Sequence, residues 1–105
     1  MATQAPTSFQ AAVQKLAFYF GRNGYLRWQN VERLKREGYN SYKKGDEIRL
    51  VALTRNELRT IRHLLSVAGF KPARAFAKGK HFRQPIYGRR NVARFLCMLP
   101  QRPDN

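Results

Sequence analysis

The chain has 105 residues, with 21 Lys and Arg against 6 Asp and Glu, a formal charge of +15, and 43% hydrophobic residues. That length suits one domain with a modest core, and seven Phe, five Tyr and one Trp spread along it exclude a disordered basic tail. A single Cys excludes a disulfide framework and a Cys-based zinc site, and fits a reducing, cytoplasmic setting.

Residues 1–6 and 100–105 lack hydrophobic periodicity and read as flexible ends around one domain over 7–99. The first helix is expected from Thr7, where Thr-Ser-Phe-Gln offers a hydroxyl cap, and Phe9, Val13, Leu16 and Phe20 recur at helical spacing up to Gly21. The apolar stretch Leu16 to Phe20 is far shorter than the roughly 20 residues of a bilayer span, so no membrane partner is expected. Arg22-Asn23-Gly24-Tyr25 reads as a turn. A shorter helix is expected from about Gln29 or Asn30, burying Trp28, Val31 and Leu34 and stopping at Gly38.

Tyr39 to Leu53 reads as a hairpin around Lys43-Lys44-Gly45-Asp46, with Glu47 to Leu53 as its stronger strand. Thr54-Arg55-Asn56-Glu57 is a capping box opening a helix of about four turns that ends at Gly69. Leu58, Ile61, Leu65 and Ala68 form its buried stripe, and Arg55, Arg59, Arg62 and Ser66 fall on a different face.

Residues 72–87 read as a second hairpin with a two-residue turn at Lys78-Gly79, which pairs Ala77 with Lys80 and Ala75 with Phe82. Strand alternation then puts Phe82 and Ile86 over the alanines. The other face carries Arg74, Phe76, His81, Arg83 and Tyr87, whereas a three-residue loop would exchange the faces of the second strand. A last helix from about Arg89 to Leu99 buries Val92, Phe95, Leu96 and Leu99, and places Cys97 in an apolar run as a buried, inert thiol. The fold class is α+β: a single small domain with a short antiparallel sheet of hairpins packed against about four helices.

Excess positive charge repels itself in a compact domain unless a polyanion supplies the counter-charge, so nucleic acid is the expected partner. Candidate phosphate or base contacts are Arg55, Arg59 and Arg62 on the capped helix, and Arg74, Phe76, Lys78, Lys80, His81, Arg83 and Tyr87 on the second hairpin. Arg89 and Arg90 follow it, and Lys43 and Lys44 extend the set beside Tyr39 and Tyr42. Arg outnumbers Lys, and its planar fork matches phosphate oxygens and guanine edges. Catalysis finds little support. Glu57 is taken by its cap, Glu32 is placed to pair with Arg36, and the neighbours Asp46 and Glu47 would point to opposite faces of a strand. Neither a metal nor another cofactor is expected.

From about Glu47 to Leu99 the order is strand, helix, hairpin, helix. Ile48-Arg49-Leu50 to Thr54, Asn56 to Gly69, Lys71 to Tyr87 with its Lys-Gly-Lys turn, and Ile86-Tyr87-Gly88-Arg89-Arg90-Asn91-Val92-Ala93-Arg94-Phe95-Leu96 together resemble the second part of a LAGLIDADG homing-endonuclease module. The resemblance implies a saddle-shaped antiparallel sheet whose exposed face lies on DNA. It does not imply cleavage, because the helix that would carry the family's acidic metal ligand ends here in Phe18-Tyr19-Phe20-Gly21. A two-stranded ribbon fits the major groove and the excess of Arg over Lys leaves base-edge contacts possible, so duplex DNA is the first expectation. RNA, in a ribosome-associated or other setting, is the second, and an acidic protein partner the third.

Overall fold

The computed structural model describes residues 7–27 and 45–100. Its elements in chain order are α1 (Phe9–Asn23), β1 (Tyr25–Arg27), β2 (Glu47–Ala52), α2 (Arg55–Val67), β3 (Phe76–Lys78), β4 (His81–Tyr87) and α3 (Arg89–Met98). The four strands form one antiparallel sheet in the order β1-β2-β4-β3. The α+β class is therefore seen directly. The described residues hold three helices where about four were expected, and the extra one, with Trp28, Val31 and Leu34, lies outside them, as does the strand expected from Tyr39.

α1 starts one residue later than its sequence suggests, because the Ser8 hydroxyl, not that of Thr7, accepts the Ala11 N–H at 3.1 Å. It also runs past Gly21 to Asn23, so the expected turn is a helix end capped at Gly24, followed at once by β1. α2 opens as expected: Thr54 Oγ1 accepts the Glu57 N–H at 3.1 Å, while the Glu57 carboxylate turns back to the Leu53 N–H at 2.9 Å.

Alternation sorts the sheet into two faces. Ile48, Leu50 and Ala52 of β2 and Ile86 of β4 point to one side, where Ala12 and Leu16 of α1, Ile61, Leu64 and Leu65 of α2, and Val92 and Phe95 of α3 close the core over them. All three described helices thus lie on one face. The other face carries Tyr25 and Arg27, Glu47, Arg49 and Val51, Phe76 and Lys78, and His81, Arg83, Pro85 and Tyr87.

The second hairpin turns at Gly79-Lys80, one residue later than expected, and pairs Ala77 with Phe82 and Lys78 with His81. Gly79 has φ +61° and no other residue type has positive φ among the described residues, which is the requirement of a type II′ turn with Gly in its first central place. Sliding the turn by one residue moves the pairing by two. The faces therefore keep their identity, with Phe82 toward the helices and Phe76 away from them.

β3 is only three residues long, where the sequence suggested a strand from residue 72. Its pairing ends at Phe76 opposite Arg83, two residues before Pro85, which has no N–H to give to a ladder. Cys97 is exposed, not buried. Two residues beyond the buried Phe95 the helix has turned by about 200°, and this carries the thiol to the far side of α3.

Candidate nucleic-acid interface

The face of the sheet turned away from the described helices is organised around Glu47, whose side chain is only 2% exposed. Its Oε1 accepts from Arg27 Nη2 at 2.5 Å and its Oε2 from Arg49 Nε at 2.6 Å. One buried carboxylate thus fixes two guanidinium groups and leaves a net positive charge. Its hydrogen bond also holds the Arg49 guanidinium above its ordinary pKa, against the opposing effect of burial. The carbon at the centre of that group lies 5.8 Å from the Tyr25 ring centre and 5.3 Å from that of Phe76. Arg49 is therefore seated between aromatic rings from β1 and β3, a geometry suited to cation–π attraction.

Of the residues singled out from sequence, Phe76, Lys78, His81, Arg83 and Tyr87 meet on this face. Lys80 occupies the exposed turn, Arg74 is exposed in the segment before β3, and Arg89 and Arg90 are exposed at the start of α3. Lys43 and Lys44 lie outside the described residues. Tyr25, Arg27 and Arg49 belong to the face but were not singled out. The alternation of Glu47, Arg49 and Val51 against Ile48, Leu50 and Ala52 is the signal that could have found Arg49.

The arginines of α2 do not extend this surface, because α2 packs against the opposite side of the sheet. Arg59 is exposed, and Arg55 lies 5.4 Å from the centre of the Phe82 ring. Arg62 turns inward: its Nη1 donates to Gln84 Oε1 at 2.6 Å and to the Ala73 carbonyl at 2.8 Å. Gln84 is fully buried, and its amide donates in turn to the carbonyls of Ala73 at 2.7 Å and Pro85 at 3.1 Å. Arg62→Gln should then cost about 1–3 kcal/mol, since Gln84 Oε1 loses its donor inside the protein. Arg59→Gln should stay within about 0.5 kcal/mol. Urea denaturation of the two variants checks the contrast.

A second ion pair ties the helices to the sheet. Arg22 donates to Glu57 Oε1 at 2.6 Å and to the Val51 carbonyl at 2.9 Å. That hydrogen bond, opposed by burial, holds the Glu57 carboxyl below its ordinary value. Among the described residues no cluster of His, Cys, Asp and Glu could hold a metal ion, and no helix is long and apolar enough to cross a membrane. Comparison with protein-family models, with curated proteins and with solved structures gives no match.

Proposed function

We propose that this protein binds nucleic acid, duplex DNA in the first place, through the face of its sheet turned away from the described helices, and that it does so without catalysing a reaction. The observation that carries this reading is the gathering of Arg27, Arg49, Lys78 and Arg83 with Tyr25, Phe76, His81 and Tyr87 on one face of a sheet whose other face is filled by helices. Guanidinium groups held by a buried carboxylate and by aromatic rings lose less freedom on meeting phosphates or base edges than free surface side chains do. A cytoplasmic location is part of the same proposal.

Binding to duplex DNA, single-stranded DNA, structured RNA and heparin, each titrated by fluorescence anisotropy at several salt concentrations, tests it. Duplex DNA should bind most tightly, with a log–log salt slope of about −0.9 per phosphate contact. Arg49→Gln and Tyr87→Ala should weaken binding, and Arg59→Gln should leave it unchanged. Equal affinity and equal slope for heparin and every nucleic acid would reduce the interaction to net charge and sink the proposal. Tighter binding to RNA than to duplex DNA would replace DNA as the ligand.

A further inference from the structure

Where the face turned away from the described helices approaches the end of α1, Asn23, Tyr25, Arg49, Val51, Lys78 and Arg83 line a cavity of about 340 Å³. Three of the six are cations and none is an acid, so the cavity favours an anion. The carboxylate closest along the sheet, Glu47, has both oxygens engaged by Arg27 and by Nε of Arg49. Arg49 donates to Glu47 through Nε, and its two Nη groups make no hydrogen bond among the described residues.

Arg83 stands apart from the other arginines that reach into the structure. Arg22, Arg27, Arg49, Arg62 and Arg94 all donate to carboxylate, carbonyl or amide oxygens. Nη1 of Arg83 is buried and has no hydrogen-bond partner among the described residues. A guanidinium nitrogen withdrawn from water without an acceptor is unfavourable, and the same residue lines the cavity, where an anion that draws the fork outward would supply one. The acceptor that best matches a guanidinium fork with an ammonium nearby is a tetrahedral oxyanion, since phosphate oxygens can take two parallel N–H bonds from Arg and a third from Lys.

We infer that this cavity is a phosphate site, in which Arg83 and Arg49 grip one phosphate group and Lys78 closes on it from the exposed rim. The phosphate is one of the bound strand's backbone. The identity of that source rests on the nucleic-acid reading, whereas the site itself does not.

The test is an NMR titration of the amide signals of the free protein with inorganic phosphate at constant ionic strength, repeated with Arg83→Gln and Lys78→Gln. Saturating, one-to-one shifts confined to the residues around the cavity are expected in the wild type, weakened in Lys78→Gln and lost in Arg83→Gln. Arg83→Gln removes an unpaired buried nitrogen, so its melting temperature should not fall; Lys78 is exposed, so that variant stays folded in any case. Shifts spread evenly over the basic surface, or unchanged in both variants, would overturn the site. A short DNA duplex added to the phosphate-loaded protein should displace the ion, and Arg83→Gln should make the salt slope of duplex binding shallower by about 1. A duplex that binds without displacing the ion would overturn the strand as the source. Failure of any nucleic acid to bind the wild type would instead refute the interface reading, and the phosphate shifts would still decide the site.

Discussion

Replacing Phe95 by Ala should lower the free energy of unfolding by about 3–5 kcal/mol, the largest effect expected from any single truncation among the described residues. Phe95 is fully buried, and its ring centre lies 5.8 Å from that of Phe20 and 6.0 Å from that of Phe70. It therefore joins the end of α1, the segment after α2, and α3. Truncation forfeits the transfer free energy of the ring and leaves a cavity that three separate segments would have to move to fill. Chemical denaturation reads the effect as a lower midpoint at unchanged slope. A loss below about 1 kcal/mol would mean that α3 does not seat its Phe95 side in the core.

Glu47→Gln should follow, with a loss of about 2–3 kcal/mol. Hydrogen bonds to charged groups contribute more than neutral ones, and removing one member of a buried ion pair leaves the others unmatched. The estimate sits below the range for a fully buried pair because the Arg27 and Arg49 side chains are 25% and 27% exposed, and water recovers part of their solvation. The neutral amide keeps the shape of Glu47 but leaves two positive groups side by side without a counter-charge. Adding Arg27→Gln to Glu47→Gln should return part of the loss, which a double-mutant cycle measures.

The two-face logic of the second hairpin was legible because parity is robust. The turn moved by one residue and the register by two, yet Phe76 and Phe82 kept their sides. The Thr54 cap was equally plain, since it depends on residues three apart. What escaped was long-range. Nothing local ties Arg62 to Gln84, 22 positions away, so an inward-turned arginine read as one more member of an exposed stripe. Tyr25 to Arg27 is too short to announce a strand, and it becomes one only because β2 pairs with it. Cys97 was misplaced for the reverse reason: apolar neighbours in sequence, Leu96 and Met98, are not neighbours on a helical surface.

The pairing of β2 with β4 has a consequence for how the chain finds this fold. Residues 47–52 pair with residues 82–87 across the whole of α2 and the segment that follows it, whereas β3 and β4 are joined by a two-residue turn. Loop closure delays the first pairing, and local contacts hasten the second. The segment from α2 to α3 should therefore organise early, with α1 docking late through the Arg22–Glu57 pair and Leu16. Stopped-flow refolding separates the two roles: Gly79→Ala, which forces an alanine into φ +61°, should slow folding, whereas Leu16→Ala should chiefly speed unfolding.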